Sequence, residues 1–581
     1  MDGRQILKDF ISTRKWHYVF GILILVAASA IGLTIPKFLG LVMDGLKDGI
    51  LSTGEIRRYL VFMAVFGFLV FVLKYFWRYL LIGSCRKVEC HMREHLFAHL
   101  QTLPVSFYSN NKTGDLIAHA INDVQAIRIT FGFGVVAIVE GVIINSVAIF
   151  FMAGTISPLL TLMALGPMPV LVFIMMRLGK RIRRKFTNVQ KTYAGIAEKV
   201  QENITGIRVI KSFAQEKEEV DNFLRYNQDR VDAQMDLTKT SALMGPAVQI
   251  SFGVSFLFFL LIGSELVVNG TISLGDYIAF NTYMLAILGP VTNISRIIEV
   301  WQRGIASFKR LDAIFKVKTD INDAGALEEV DRLRGKIEIR NLDFHYPGST
   351  DNVLKNIDVT IERGKTLGII GKTGCGKTTL VNLLLRLYKV EDGKIHIDGT
   401  DINQIPLDVL RQKVGYVPQD NFMFSSTIRK NIEFFGAGYS EQEVEHAARM
   451  SGVYDSILTF PQKFDTMVGE RGVTLSGGQK QRISIARAII KKPSVLILDD
   501  SLSAVDSATE EEILGNMKVM LEGKTGIMIS HRVSAVMHAD EIILMDRGRI
   551  VERGTHGELM ALKGNYHDIY MDQSGKEGTQ A

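Results

Sequence analysis

Apolar residues dominate the first half of the chain, and their spacing changes near residue 300. Before that point, six apolar stretches come close to the ~20 residues that a helix needs to cross a bilayer. After residue 335, short β-like runs alternate with helical patterns and are separated by glycines, as in α/β domains. The pattern therefore predicts an all-α transmembrane domain of six long helices, followed by a soluble α/β domain. The six predicted spans cover residues 18–38, 59–83, 132–154, 157–178, 246–268 and 276–298.

Two long segments between the predicted spans, 84–131 and 179–245, keep a helical period. Both are rich in Lys and Arg, whereas the turns after the third and fifth spans carry neither residue type. The positive-inside rule therefore places the long segments, the N-terminus and the α/β domain in the cytoplasm. We expect helices two to five to extend far beyond the bilayer. Each segment has one interruption, at 104–116 and 212–220, which is either a simple helix turn or a contact point for the α/β domain.

These patterns divide the chain into four parts. Residues 1–318 form the predicted transmembrane domain, and 319–335, with several acidic residues, form a linker. The predicted α/β domain covers 336–571. The last segment, 572–581, is polar and contains glycine, so we expect it to be disordered.

Composition and charge exclude several other classes of protein. The chain has 581 residues, of which 47% are hydrophobic, and a formal net charge of +6. Its densest basic cluster, at 177–185, directly follows an apolar stretch, so we interpret it as a membrane flank and predict no nucleic-acid partner. The three cysteines, Cys85, Cys90 and Cys375, form no disulfide framework, which fits a reducing compartment.

Ionisable residues inside the predicted spans are candidates for function, because charge is costly in a bilayer. Glu140 lies a third of the way into the third span, and we interpret it as facing a cavity. Lys74 and Arg78 share a face of the second span at i, i+4 spacing. They have either a functional role or a structural one, in which they pair or reach the membrane surface.

A glycine-rich motif follows a strand-like run in the second half. Residues 367–388, LGIIGKTGCGKTTLVNLLLRLY, match G-x-x-x-x-G-K-[ST] at Gly371, Gly376, Lys377 and Thr378, between a strand-like and a helix-like run. In such a loop, backbone N–H groups surround phosphate, the Lys neutralises phosphate oxygens and the Thr hydroxyl reaches Mg²⁺. The motif therefore predicts a site for ATP and Mg²⁺. The other predicted nucleotide contacts in the loop are Thr373, Gly374, Cys375 and Thr379.

Two neighbouring aspartates end a buried β-like run in VLILDDSLSAVD, residues 495–506. A buried parallel strand would bring them to the edge of the sheet where ligands bind. Asp499 is in the position to hold the metal ion of the second phosphate-loop motif. Asp500 would have a different role.

With these motifs, the second half of the chain resembles the ATP-binding cassette (ABC) proteins. LSGGQKQR at 475–482 is close to unique to them, and it precedes LILDD as expected. FHYP, VPQD, VGERG at 468–472, SAVD at 503–506 and SHR follow the family order. Six spans before one cassette resemble a half-size exporter, whereas importer cassettes are separate soluble subunits. FYSNNKTGDL and GIRVIKSFAQE are similar to the coupling-helix regions of that class.

The resemblance implies roles for residues outside the two phosphate motifs. Tyr346 would stack on adenine, Gln419 would reach Mg²⁺ and the attacking water, and His531 would touch the γ-phosphate. The signature residues would contact a nucleotide held by a second cassette, so one chain cannot complete a site and a dimer is required. These signature residues are Ser476, Gly477, Gly478 and Gln479.

Asp500 departs from the family pattern, because the residue after the metal-linked Asp is usually Glu there. The shorter side chain loses roughly 1.5 Å of reach, which implies slow hydrolysis at this chain's own site. With an intact signature, the chain resembles the degenerate half of bacterial heterodimeric multidrug exporters. The alternative is a homodimer that tolerates Asp500 with reduced turnover.

The resemblance suggests amphipathic drugs or other hydrophobic compounds as cargo, with lipid or peptide as the alternative. The expected location is the cytoplasmic membrane of a bacterium. A different hypothesis makes the chain an ATP-sensing regulatory subunit that gates a membrane pathway without pumping. The intact His531, Gln419 and signature favour the pump.

Overall fold

The computed structural model describes residues 2–49, 52–434, 436, 438–469, 475–500, 515 and 519–574. The chain forms two compact units. The first consists of Met1–Thr102 and Thr113–Val317, and the second of Leu103–Lys112 and Lys318–Ala581. Residues 104–112 of the first predicted interruption therefore fall in the second unit, and 113–116 fall in the first.

The first unit is built from helices. Short π-helical turns at His119–Asp123, Thr130–Gly134 and Met152–Ile156 flank two of its helices, Val124–Ile129 and Val135–Phe151. The α-helices of this unit are α1 (Gly3–Thr13), α2 (Lys15–Gly32), α3 (Ile35–Lys47), α4 (Thr53–Thr102), α6 (Thr113–Ala118), α7 (Val124–Ile129), α8 (Val135–Phe151), α9 (Pro158–Leu165), α10 (Met168–Thr205), α11 (Ile207–Ser212), α12 (Glu216–Ser241), α13 (Met244–Val268) and α14 (Leu274–Phe315).

Within the described residues, six helical runs are long and apolar enough to cross a membrane. This finding confirms the predicted six-helix membrane domain. The runs contain between 33 and 53 residues, well above the ~20 that a bilayer requires, so they extend beyond it as expected. The six runs are Lys15–Lys47, Thr53–Thr102, Thr113–Ile156, Pro158–Thr205, Glu216–Val268 and Leu274–Phe315.

The helix breaks lie where the sequence pattern is interrupted. Pro104 lies between the end of α4 at Thr102 and the short helix α5 (Val105–Asn110). A proline disfavours helical backbone at the residue before it, so α4 ends there. The second break separates α11 from α12, and Ala214 there has a φ of 51°. Pro290, by contrast, lies inside the continuous helix α14.

The second unit contains two sheets. The smaller has the order β2-β1-β4-β5 and is antiparallel, whereas the larger has the order β10-β9-β3-β8-β7-β6 and is parallel except for β10. The structure thus confirms an α/β fold for this half. The strands are β1 (Ile337–Phe344), β2 (Leu354–Ile361), β3 (Thr366–Gly371), β4 (Ile395–Ile397), β5 (Thr400–Asp401), β6 (Val414–Val417), β7 (Val495–Asp499), β8 (Thr525–Ser530), β9 (Glu541–Asp546) and β10 (Arg549–Gly554).

The second unit also contains helices. The last of them includes Asp572 and Gln573, at the start of the predicted tail, whereas 575–581 lie outside the described residues. Besides α5, the helices are α15 (Lys377–Leu384), α16 (Leu407–Lys413), α17 (Ile428–Glu433), α18 (Glu441–Met450), α19 (Tyr454–Leu458), α20 (Gly477–Ile489), α21 (Val533–Val536), α22 (His556–Leu562) and α23 (Asn565–Gln573).

The larger sheet determines where the chemistry lies. β8 pairs in parallel with β3 on one side and with β7 on the other. Ser530 of β8 is in register with Ile370 of β3, and Ile529 of β8 with Asp499 of β7. The carboxyl ends of these strands therefore meet at one edge, which is where α/β sheets bind ligands.

Candidate functional site

The phosphate-binding loop connects the end of β3 to the start of α15. Two of its glycines have left-handed backbone, with φ values of 81° at Gly374 and 107° at Gly376. A Cβ atom on Gly376 would also lie 2.7 Å from Leu354 Cδ2. Glycine is required at this position for both reasons. The loop can therefore fold tightly enough for its backbone to approach a phosphate.

Lys377 directs its ammonium back into the loop. Its Nζ lies 2.8 Å from the carbonyl oxygen of Gly371 and 3.0 Å from that of Lys372. Cys375 and Lys377 are buried, whereas Thr373 is exposed. The loop thus combines one buried cation with the N-terminal amides of α15, and this arrangement suits an anionic phosphate group.

Asp499 lies at the end of β7, whose residues are all buried. Burial raises the pKa of this carboxyl and Asp500 adds to the effect, whereas contacts with the Thr378 and Tyr416 hydroxyls and the charge of Lys377 oppose it. Its Oδ2 atom has no hydrogen-bond partner among the described residues. A buried acceptor without a donor needs another partner. Mg²⁺ prefers oxygen ligands, so the Asp499 carboxylate and the Thr378 hydroxyl fit that ion.

Asp500 is held by its backbone. Its φ is 45°, and its N–H donates to the Ile529 carbonyl oxygen of β8 at 2.8 Å. Its own carbonyl accepts from Gln481 Nε2 of α20 at 3.4 Å. A left-handed backbone is unusual for a residue other than glycine. The position of Asp500 is therefore set by β8 and α20.

The signature segment begins α20. The hydroxyl of Ser476 accepts from the N–H of Gln479 at 3.2 Å, and Gln479 Oε1 accepts from the N–H of Ser476 at 3.0 Å. This capping box fixes the first turn of the helix. Ser476 and Gly477 are exposed and Gly478 is half-buried. Among the described residues, this segment makes no hydrogen bond to the phosphate-binding loop.

Comparisons with known proteins agree with this geometry. Residues 18–291 match the family of ABC transporter transmembrane regions, and 354–503 match the ABC transporter family. The chain is 38% identical to the probable multidrug resistance ABC transporter ATP-binding/permease protein YheI of Bacillus subtilis, over 96% of this chain and 95% of that protein. It is 36% identical to the multidrug resistance-like ATP-binding protein MdlA of Escherichia coli, over 96% and 95%.

The chain belongs to the ABC exporters. Its fold matches that of a bacterial Atm1-family ABC exporter with ATP bound, with a TM-score of 0.79 at 24% sequence identity, over 98% of this chain and 99% of that one. The matched families, the relatives and the six apolar helical runs make it a multi-pass membrane protein with an ATPase domain coupled to transport.

Three other residues of this ABC exporter that the sequence predicts at the nucleotide site belong to the ATP-binding domain. Tyr346 donates or accepts a hydrogen bond with Thr379 Oγ1 at 2.8 Å, and its ring meets Tyr388 at a centroid distance of 5.1 Å. Gln419 is exposed just after β6. His531 follows β8, and its Nδ1 lies 3.1 Å from the Gly371 carbonyl oxygen. His531 is thus next to the phosphate-binding loop.

Parts of the predicted motifs fall outside the described residues. These are residues 470–472 of VGERG and all of SAVD at 503–506. The roles assigned to the site residues stay predictions.

Sequence reasoning missed three residues of the exporter that support the site. Tyr416 contacts Asp499 from β6, Gln481 holds Asp500 from α20, and Gln573 bonds to the segment after β8. Gln481 lies in the quoted segment LSGGQKQR, and Tyr416 directly precedes VPQD, but neither residue carries a signal of its own. Gln573 is 42 residues from its partner His531, so its contact depends on the tertiary fold.

The ionisable residues of the membrane unit lie in different environments. Lys74 and Arg78 are exposed on α4, and the Arg78 guanidinium lies 5.5 Å from the Trp77 ring centroid. Neither Lys74 nor Arg78 has an ion-pair partner among the described residues. Glu140 is half-buried in α8.

Proposed function

We propose that this exporter is one half of a heterodimer that uses ATP to move amphipathic drugs or other hydrophobic compounds across the cytoplasmic membrane. The observation that carries the proposal is Asp500, an acid shorter than the usual Glu at the carboxyl end of β7. A second, non-identical half-transporter would supply the catalytic Glu. Two relatives named as multidrug resistance proteins support the cargo class.

At the chain's own site, the loop amides and Lys377 bind the phosphates, and Tyr346 stacks on the adenine. Thr378, Asp499 and Gln419 would hold Mg²⁺, which would neutralise charge on the phosphate oxygens. The unpaired Oδ2 atom of Asp499 supports this assignment. The remaining nucleotide contacts are Gly371, Thr373, Gly374, Cys375, Gly376 and Thr379.

Hydrolysis needs a group that orients or deprotonates the attacking water. Asp500 has this role, Gln419 contacts the water, and His531 contacts the γ-phosphate. Because Asp500 is shorter than Glu, a misplacement near 1 Å would cost about 10²-fold in rate. This chain's site therefore binds ATP but hydrolyses it slowly.

The signature residues serve the partner's site. Ser476, Gly477, Gly478 and Gln479 start a helix, and helix N-termini favour phosphate. Ser476 and Gly477 are exposed, so the start of this helix is open to a contact with nucleotide on the second cassette. The dimer thus has one fast and one slow site.

The transport cycle is a shift between two states of the dimer. ATP binding favours the state in which the cassettes close, the long helices transmit this closure, and the cavity changes from inward-facing to outward-facing. Hydrolysis returns the dimer to the inward-facing state. In this arrangement the N-terminus and the ATP-binding domain lie in the cytoplasm, as the distribution of Lys and Arg favours.

Two alternatives remain distinct from drug export. Lipid or peptide cargo would keep the same cycle. An ATP-sensing regulatory subunit would instead gate a downhill pathway. In inverted membrane vesicles, a pump accumulates a hydrophobic dye above its outside concentration when ATP is added, whereas a gate only speeds equilibration. Equilibration without accumulation would reject the proposed pump.

The heterodimer is tested first by ATPase activity of the purified chain alone. We expect slow hydrolysis, because every site in a preparation of one chain contains Asp500. Addition of a second half-transporter that carries Glu at the matching position should restore rapid turnover. Rapid turnover by the lone chain would instead support a homodimer.

Tyr346 offers a test of adenine stacking. Tyr346→Leu should weaken ATP binding about three- to tenfold, since an aromatic contact contributes about 0.5–1.5 kcal/mol. Tyr346→Phe keeps the ring and removes only the hydroxyl that contacts Thr379, so it should bind almost as the parent does. Displacement of a fluorescent nucleotide measures both. Equal weakening by the two variants would assign the effect to the hydroxyl rather than to stacking.

A further inference from the structure

The last helix of the ATP-binding domain reaches the segment that carries His531. Gln573, the final residue of α23, donates from Nε2 to the His531 carbonyl oxygen at 2.7 Å. Its Oε1 accepts from the N–H of Val533 at 2.8 Å. A single side-chain amide thus satisfies two backbone groups, one on each side of Arg532.

These two bonds act on a short connection between β8 and α21. Val533 is the first residue of α21, and the N–H groups of a first helical turn lack partners within the helix. On the other side, His531 Nδ1 meets the Gly371 carbonyl oxygen. A carbonyl only accepts, so Nδ1 carries the hydrogen in this contact. His531 is therefore held between the phosphate-binding loop and α23.

The helix that carries Gln573 is itself well anchored. Tyr566 of α23 is fully buried, and its hydroxyl lies 2.8 Å from His556 Nδ1. The N–H groups of Asn565 and Tyr566 donate to the carboxylate of Glu552 at 2.6 Å and 3.0 Å. The Gln573 side chain is exposed, in contrast. Its substitution can thus remove the two bonds without opening the core.

We propose that Gln573 is a positioning residue that holds the backbone of His531 in place for the γ-phosphate of ATP. This inference rests on the proposed contact of His531 with that phosphate. ADP lacks the γ-phosphate, so loss of the positioning weakens ATP binding and leaves ADP binding unchanged. General damage to the domain would weaken both nucleotides.

The experiment measures ATP and ADP affinities of the intact purified exporter by displacement of a fluorescent nucleotide. Gln573→Leu removes both hydrogen bonds at similar size, and we expect about fivefold weaker ATP binding with ADP binding unchanged. Gln573→Glu keeps an acceptor for Val533 but loses the donor to His531, so its ATP affinity should be intermediate. Asp572→Asn, an exposed neighbour on the same helix, should bind both nucleotides as the parent does.

His531→Ala tests the contact of His531 with the γ-phosphate separately from the positioning role of Gln573. If this variant binds ATP and ADP as the parent does, the proposed role of His531 fails, and the role of Gln573 fails with it. If His531→Ala weakens ATP alone while Gln573→Leu does not, only the role of Gln573 is overturned. Equal loss of ATP and ADP binding in Gln573→Leu would also overturn it, since that result indicates structural support alone.

Discussion

Lys377→Met is expected to weaken ATP binding to this chain by about 10- to 100-fold, because hydrogen bonds to charged groups contribute about 1.5–3 kcal/mol. Methionine has a similar length but has neither the charge nor the donors of the ammonium. In the structure this ammonium lies among the loop carbonyls, at 2.8 Å from the oxygen of Gly371. It is therefore already inside the loop that phosphate would enter. Fluorescent-nucleotide displacement on the purified exporter measures the effect.

The control for this change is Lys372→Met, which removes the same charge from an exposed side chain of the same loop. Its ATP affinity should stay close to that of the parent protein. If both variants lose affinity equally, the effect comes from the overall charge of the loop. Unchanged ATP affinity in Lys377→Met would contradict the predicted phosphate contact itself.

The membrane fold could be predicted because each span is a local, one-dimensional signal. Apolar runs of sufficient length identified six helices, and the breaks near Pro104 and Ala214 coincide with helix breakers or polar segments. Pro290 lies inside the predicted last span and could have interrupted its helix, yet α14 is continuous there. A proline in a long helix costs one hydrogen bond, and packing along the rest of the helix can outweigh that loss.

The site could be predicted only where a motif is contiguous. The phosphate-binding loop, Asp499 and the signature each lie in one stretch of sequence, and the parallel register of β3, β8 and β7 brings the first two to one sheet edge. Tyr416, Gln481 and Gln573 support this edge from other elements. Their residue types are ordinary for a strand or helix, so only the three-dimensional contacts identify them.

Asp500 stands where the family usually has Glu, and its backbone is held by hydrogen bonds. Its N–H is bound to β8 and its carbonyl to Gln481, and its φ of 45° is a constrained conformation. The backbone therefore has little freedom to move forward and compensate for the shorter side chain. This rigidity is the physical basis for expecting slow hydrolysis in the chain's own site.

Asp500→Glu is accordingly expected to raise the kcat of ATP hydrolysis at this chain's own site in the dimer about 10²-fold, since roughly 1 Å of misplacement costs that much. The added methylene extends the carboxylate from a fixed backbone, and the KM for ATP should change little because Lys377 and the loop amides still bind the phosphates. Asp500→Asn, which matches the size of the parent side chain without its charge, should give no increase. A steady-state ATPase assay compares the kcat of the parent protein, Asp500→Glu and Asp500→Asn. If Asp500→Glu still binds ATP but is no faster than the parent protein, side-chain length does not limit the reaction, and a homodimer that tolerates Asp500 becomes the better explanation.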